Sequence, residues 1–238
     1  MAGHARWQIR IFVVLWLLFL WQFAHEPFTF LILNTFLGYL PIEISFHLSK
    51  ERPKSGLVFW LVVLLWLVFY PNAPYLLTDL FHLSLLNPYG PDGLLQLNLH
   101  VWVYFTYLLI SVLFCVILGF WSLNYVANTI TQRYLKGNSW LQTLLVLFLT
   151  FLSSVGIYVG RFMRIHTVYL FISPELITDR LLHMWTPTMI VFVGLMTLIQ
   201  LIAYWLVYLA YHSQMANEQA MKNLKLVKKE PDEHHKSE

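Results

Sequence analysis

The sequence predicts an all-α fold, a polytopic transmembrane helical bundle of about six spans. Of the 238 residues, 58% are hydrophobic and only 11% are charged, whereas soluble domains carry about 25% charged residues. Because so few polar residues are available to cover a core in water, lipid must surround most of the chain. Nucleic-acid binding has no support, since the basic residues sit in short loops and a mixed-charge tail.

Six apolar runs approach the length of about 20 residues that is needed to cross the hydrocarbon. The predicted spans are Ile9–Ala24, Phe28–Leu48, Leu57–Tyr70, Asn98–Leu123, Trp140–Val159 and Thr188–Tyr211. The first run lacks the small-residue cleavage site of a signal peptide, so we expect it to be an uncleaved span. The chain is thus predicted to form a transmembrane domain, residues 1–212, and a polar cytoplasmic tail, residues 213–238.

Basic residues are distributed unevenly between the predicted loops. Twelve of the 15 lysines and arginines lie at the N-terminus, after the second and fourth spans, and in the tail. In a chain of six alternating spans these segments fall on one side of the membrane. Because short basic segments stay on the cytoplasmic side, we expect both termini in the cytoplasm.

The third span is followed by a string, residues 70–82, that two prolines interrupt. Pro71 and Pro74 cannot lie within a helix without leaving backbone groups unpaired. We therefore predict that the third span breaks at its outer end and that a short helix begins near Pro74. On that helix, Asp79 and His82 are three residues apart and share a face.

Three basic residues depart from the cytoplasmic bias and lie between the fifth and sixth spans. They are Arg161, Arg164 and Arg180. Ser153, Gly156 and Gly160 form a small-residue stripe that permits close helix packing, and one further turn leads to Arg164, which we expect to face the interior. Because charges near hydrocarbon are retained only when paired, we expect Asp79 to meet this arginine or Arg161.

The loop between the fifth and sixth spans contains a second string of similar composition. Residues 174–179 match residues 74–79 at proline, leucine or isoleucine, threonine and aspartate, which is explained by duplication of a hairpin unit or by chance. Each string supplies a carboxylate and an imidazole on one helical face. A hypothetical divalent-metal site would use both pairs: Asp79, His82, Asp179 and His183.

Two strings resemble the signature of a bacterial family of integral membrane proteins of unknown function. Residues 70–82 fit the pattern [FY]-P-N-A-P-Y-x-x-T-D-x-x-H, and residues 156–164 fit G-x-x-x-G-R-F-x-R. The resemblance implies a multi-pass protein of the bacterial cytoplasmic (inner) membrane. It implies no particular substrate, reaction or cofactor, so function must be argued from the residues.

Candidate site residues gather on the predicted outer face. Guanidinium groups suit bidentate binding of phosphate or carboxylate, so Arg161 and Arg164 are predicted to bind substrate. Asn72 joins them as a substrate-binding candidate, with an N-cap on the following helix as its structural alternative. The candidate general acids and bases are Asp79, His82 and His166.

Other polar residues within the predicted spans have structural explanations. Glu43 should lie near the cytoplasmic end of the second span, where it can pair with the Lys50–Lys54 loop. Asn34 and Asn98 are expected to form hydrogen bonds between helices. The single cysteine, Cys115, is expected to be a small buried hydrophobe.

Three classes of function are open to this chain. The first is an outer-face site for an anionic, phosphate-bearing ligand, such as a lipid-linked envelope substrate; the absence of a nucleophile motif leaves open whether it is an enzyme. The second is a transporter or flippase, although the ionisable residues crowd the two membrane faces and not the midplane. The third is an accessory subunit whose polar motifs hold the bundle together. The sequence specifies neither a cofactor nor an oligomeric state.

Overall fold

The structure, a computed structural model, describes residues 3–163 and 182–229, and it contains helices and no strand within these ranges. The helices are α1 (Gly3–Phe23), α2 (Phe30–Ser45), α3 (Gly56–Phe69), α4 (Asn72–Asp79), a 3₁₀ helix (Leu80–Leu86), α5 (Leu99–Tyr134), α6 (Ser139–Phe162) and α7 (Pro187–Lys229). The predicted all-α polytopic bundle is confirmed.

Each of the six predicted spans contains a helix. Five stretches of the described chain are long and apolar enough to cross a membrane: α1, Gly56–Leu86, α5, α6 and Pro187–Ala210. The remaining helix, α2, has 16 residues and is about 24 Å long. Tight turns extend it at both ends, since the N–H of Phe28 donates to the His25 carbonyl and the N–H of Leu48 donates to the Ser45 carbonyl.

Two helices extend beyond their predicted spans. α5 has 36 residues and ends at Tyr134, eleven residues after the predicted boundary. At its start, Oδ1 of Asn98 accepts a hydrogen bond from the N–H of His100 over 3.0 Å, so Asn98 caps its own helix, a role that the sequence analysis did not assign. α7 continues past Ala210 to Lys229 and therefore includes the first part of the predicted polar tail.

Contacts at the helix termini define one end of the bundle, which we call the basic end. There, Arg10 of α1 pairs with Glu43 of α2. Arg133, near the C-terminus of α5, donates to the carbonyl oxygens of Pro53 and Lys54 in the α2–α3 loop. The N-terminus and the two basic loops therefore lie together, as the alternating six-span arrangement requires.

The opposite end, which we call the motif end, contains the string at residues 70–82. The ring of Phe30, at the start of α2, lies 4.2 Å from the His82 ring. Phe162 of α6 contacts Phe192 of α7, with 5.0 Å between ring centroids. Successive helices therefore run in alternate directions between the two ends.

The largest buried cluster lies between α3, α5 and α6. Trp66, Tyr70 and Phe120 are among its fully buried side chains, and the indole N–H of Trp66 donates to Oγ of Ser122 over 3.2 Å. Cys115 is also completely buried in this cluster, as expected. Many large apolar side chains of α1, α3 and α7 are exposed instead, as lipid-facing residues must be.

Candidate functional site

The helix break that the two prolines predict is present, and Asn72 spans it. α3 ends at Phe69, and α4 begins at Asn72, two residues before Pro74. Pro71 and Pro74 have no backbone N–H, so the helical ladder loses two donors. The Ala73 N–H donates to the Tyr70 carbonyl, to which Pro74 cannot donate, and Nδ2 of Asn72 donates over 2.9 Å to the Phe69 carbonyl that Ala73 leaves free. Asn72 therefore secures the end of α3 and does not cap the following helix, which was its structural alternative. Its predicted contact with substrate stays a prediction.

The small residues of α6 pack against this break. A Cβ atom on Gly156 would lie only 2.6 Å from Cγ of Pro71, so a larger residue would force a shift. A Cβ atom on Gly160 would lie 3.7 Å from the Tyr75 ring, which is an ordinary contact. Ser153 is completely buried one turn earlier. The stripe thus allows close packing, as predicted, with Gly156 at its tightest point.

Asp79, the last residue of α4, is completely buried and is held by two other helices. Its Oδ1 accepts a hydrogen bond from Nη1 of Arg161 on α6 over 3.1 Å. Its Oδ2 accepts one from Nδ2 of Asn34 on α2 over 2.8 Å. Pairing combined with hydrogen bonding is what allows a buried carboxylate to remain ionised. The predicted meeting of Asp79 with Arg161 or Arg164 is confirmed for Arg161.

Arg161 makes further contacts that wrap its guanidinium around the end of α4. Nη1 also donates to the Tyr75 hydroxyl over 3.2 Å, and Nη2 donates to the Thr78 carbonyl over 3.0 Å. The guanidinium carbon lies 5.5 Å from the centre of the Tyr75 ring, within the range of a cation–π contact. Arg161 is therefore a clamp that joins α6 to α4.

His82 forms the outer edge of this network. Its Nδ1 lies 3.0 Å from the Asp79 carbonyl oxygen, 3.4 Å from Nη2 of Arg161 and 3.7 Å from Oδ1 of Asp79. The side chains of His82 and Arg161 are 26% and 20% exposed, whereas that of Asp79 is 0% exposed. We call Asn34, Asp79, His82 and Arg161 the buried network. It encloses the carboxylate and leaves an imidazole and a guanidinium at its accessible edge.

Several predicted site residues lie outside the described residues. These are Arg164, His166, Asp179 and Arg180, together with the second string at residues 174–179. His183 is described and exposed. Within residues 3–163 and 182–229, no group of three or more His, Cys, Asp or Glu residues could hold a metal ion. The four-ligand metal hypothesis includes Asp179 and so stays a prediction.

Glu43 is held by α1, and this corrects its predicted partner. Oε1 accepts from Nη2 of Arg10 over 2.6 Å, and Oε2 accepts from Nε of Arg10 over 3.0 Å and from the Tyr39 hydroxyl over 2.5 Å. Its partner was predicted to lie in the Lys50–Lys54 loop. Arg10 replaces it because α1 packs along α2, so that a long side chain one helix away reaches the carboxylate.

Asn34 is the network member that the sequence analysis did not connect to Asp79. It was expected to bond between helices, and it does so. The two residues are 45 positions apart, and the sequence contains no information on which helices are neighbours. The position of Asn34 along α2 could have indicated the contact. Asn34 lies one turn from the motif end of α2, at about the same depth in the bundle as Asp79.

Comparisons with known proteins place the chain in a family without assigning it an activity. A search of the curated proteins and a search of the solved structures each returned no match. A family model described as "Protein of unknown function (DUF1361)" matches residues 33–203. This range contains Asn34, Asp79, His82 and Arg161 and covers most of the chain. The chain therefore belongs to the DUF1361 family, whose function is unknown.

Proposed function

We propose that the motif end binds an anionic, phosphate-bearing ligand, of which a lipid-linked envelope molecule is the expected form. One observation carries the proposal: the buried network encloses its carboxylate and leaves its guanidinium and its imidazole partly exposed. Asp79 is enclosed, while Arg161 and His82 retain exposed fractions of 20% and 26%. An approaching ligand therefore meets a guanidinium and an imidazole, which are groups that bind oxyanions.

Each residue has a distinct part in this proposal. Arg161 positions the end of α4 and keeps Asp79 paired, while its exposed edge contributes positive charge. His82 contacts the ligand through its imidazole, and Arg164, three residues beyond Arg161 in the sequence, supplies a second guanidinium. The proposal is for binding, and acid–base chemistry by His82 or His166 would be an addition to it.

The location of this site follows from the predicted orientation, which is also a proposal. With both termini cytoplasmic in a bacterial inner membrane, the motif end faces outward. Its support is the collection of basic loops at the opposite end. In a Cys115→Ala background, an impermeant maleimide on intact cells should label Asp92→Cys in the α4–α5 loop and leave Gly137→Cys unlabelled. The reverse pattern would refute the orientation.

The binding proposal is tested with short-chain phosphatidylglycerol as an anionic probe and phosphatidylcholine of the same length as a zwitterionic control. Native mass spectrometry of the purified full-length chain measures both affinities. We expect the anionic lipid to bind more tightly, and we expect His82→Gln and Arg164→Gln each to weaken it by about tenfold, or about 1.4 kcal/mol.

A matched control separates this site from general attraction to basic loops. Lys50→Gln removes an exposed cation at the basic end and should leave the tightest binding event unchanged. Equal affinity for the two lipids, or an equal effect of Lys50→Gln and His82→Gln, would refute the proposal. Thermal stability of each variant should match that of the unmodified chain, so that loss of binding is not caused by unfolding.

A non-catalytic assembly function is the second candidate, and one observation favours it. Both terminal nitrogens of Arg161 already donate to acceptors within the chain, namely Tyr75, Thr78 and Asp79. A guanidinium in this state holds helices together without a ligand. Under this alternative, the lipid experiment shows no preference that depends on His82, while the stability effects described in the Discussion remain.

A further inference from the structure

A second polar cluster lies inside the bundle, where α6 packs against α7. Ser154 is its centre: Oγ accepts hydrogen bonds from Oγ1 of Thr197 over 2.9 Å and from Nε2 of Gln200 over 2.8 Å. The same hydroxyl donates to the Thr150 carbonyl over 3.1 Å. We call Thr150, Ser153, Ser154, Thr197 and Gln200 the α6–α7 seam. None of the seam residues carries a charge.

Three polar atoms of the seam have no hydrogen-bond partner among the residues that the structure describes. They are Oγ1 of Thr150, Oγ of Ser153 and Oε1 of Gln200, and the three residues are 0–1% exposed. Thr150 and Ser153 lie within about one helical turn of Ser154 on α6. Oε1 of Gln200 belongs to the same amide that donates to Ser154. The three atoms therefore belong to residues that lie next to Ser154 on α6 or that donate to it from α7.

The hydroxyl groups of Thr150 and Ser153 differ from others on the same helices. In a transmembrane helix, serine and threonine usually satisfy their hydroxyl groups by donating to the carbonyl four residues earlier. Five residues of α5 and α6 do this: Thr106, Thr129, Thr131, Thr143 and Ser154. The hydroxyls of Thr150 and Ser153 make no such bond within the described residues. A partner outside their own helix would satisfy them.

An unpaired polar group is unfavourable at this depth. Ser153 lies 14 residues into α6, about 21 Å from its start, and no bulk water reaches the hydrocarbon region. Each buried group without a partner costs about 1–3 kcal/mol. A ligand that satisfies Gln200 must donate a hydrogen bond to its Oε1, and a ligand that satisfies either hydroxyl can donate to it or accept from it. It must also be uncharged, since no side chain of the seam would balance a charge.

We propose that the α6–α7 seam binds a small neutral hydrogen-bonding molecule, water or a short polyol, within the bundle. The inference does not depend on the proposed anion site, because none of the seam residues belongs to the buried network. Further polar groups continue the same interface toward the basic end, where Oδ1 of Asn124 accepts from Gln142 and from the Tyr204 hydroxyl over 3.1 Å and 3.0 Å. Polar contacts between helices therefore continue from the seam toward the basic end.

The test uses the fact that methanethiosulfonate reagents react with thiolates, which form readily only where water reaches the sulfur. Thr150→Cys and Ser153→Cys are made separately in a Cys115→Ala background, so that one variant remains if the other fails to fold. Two dry controls are available in the chain itself. They are the native Cys115, which is 0% exposed, and Leu149→Cys on α6, at a position that is 5% exposed and packed in the apolar core.

We expect 2-aminoethyl methanethiosulfonate to label at least one seam cysteine about tenfold faster than either control, in purified protein of unchanged thermal stability. The proposal would be overturned if neither seam cysteine were labelled about tenfold faster than the controls, because a dry seam holds no polar ligand. Molar glycerol then identifies the ligand. Slower labelling of the seam cysteine, with no change for a free thiol, indicates a polyol, and an unchanged rate indicates water.

Discussion

The two ends of the bundle each contain an arginine–carboxylate pair between different helices, but the two pairs differ in exposure. At the motif end, Asp79 is 0% exposed and Arg161 is 20% exposed. At the basic end, Arg10 and Glu43 are 31% and 25% exposed, although their N–O distance of 2.6 Å is shorter than the 3.1 Å of the other pair. The shorter distance does not make the exposed pair the stronger contributor to stability.

The difference shows how burial decides what an ion pair does. A partly exposed pair can exchange its partner for water or headgroups, so it is worth about 0–1 kcal/mol. A buried carboxylate has no such alternative, and removal of its partner leaves an uncompensated charge. Asp79 accordingly has a second partner, Asn34, on a third helix. The motif-end pair fixes α2, α4 and α6 relative to one another, whereas the basic-end pair joins only α1 to α2.

The largest effect should come from removing the buried carboxylate. Asp79→Ala leaves Arg161 without its counter-charge and Asn34 without its acceptor, so we expect a loss of about 3–5 kcal/mol in the free energy of unfolding. Thermal unfolding of the purified chain in detergent measures it. Conversely, a melting temperature equal to that of the unmodified protein would show that Asp79 does not hold the three helices together.

An intermediate effect should come from the contact that brings α6 to the buried network. Gly156→Ala places a methyl group about 2.6 Å from Pro71 and should lower stability by about 1–3 kcal/mol. Gly160→Ala is the matched control, because its Cβ would lie 3.7 Å from Tyr75. Alanine is also the better helix former by about 1 kcal/mol, so this variant should be neutral or more stable. Equal melting temperatures for the two variants would contradict the close approach at Pro71.

The smallest effect should come from the basic end. Glu43→Gln removes the charge of the pair but keeps a side chain that can bond to Arg10 and Tyr39, and both charged partners are partly exposed. We expect a change below about 1 kcal/mol in the free energy of unfolding, and we expect added salt to reduce it further. A loss as large as that for Asp79→Ala would remove the distinction between the two ends.

The sequence was sufficient to predict the fold class and most of the path of the chain. Apolar runs located the helix of each of the six predicted spans, because the hydrocarbon thickness sets the length of a span. The sequence did not predict where a helix ends when its last turns are polar. α5 continues eleven residues past its predicted boundary, since a helix that leaves the hydrocarbon can persist where its residues still form backbone and side-chain hydrogen bonds, as Thr129 and Thr131 do.

The part of the site that could be predicted is the contact between Asp79 and an arginine, because the charges and the positions of these residues along the predicted spans determine it. The need to pair charges near hydrocarbon and the position of the small-residue stripe indicated that Asp79 meets an arginine. Of the two arginines named for this contact, Arg161 makes it, and Arg164 lies outside the described residues. Asn34 and Arg10 could not be assigned to their partners, since both contacts depend on which helices are neighbours. The α6–α7 seam escaped notice because serine, threonine and glutamine are ordinary residues in apolar helices.

A pair of double-mutant cycles tests the contrast between the two ends most directly. One cycle combines Asp79→Ala with Arg161→Ala, and the other combines Glu43→Gln with Arg10→Gln, with unfolding free energies measured in the same detergent. Contacting residues show interaction energies of about 0.5–3 kcal/mol. The structure predicts at least about 1.5 kcal/mol for the motif-end pair and less than about 0.5 kcal/mol for the basic-end pair. Additive effects at Asp79 and Arg161, or equal interaction energies at the two ends, would contradict it.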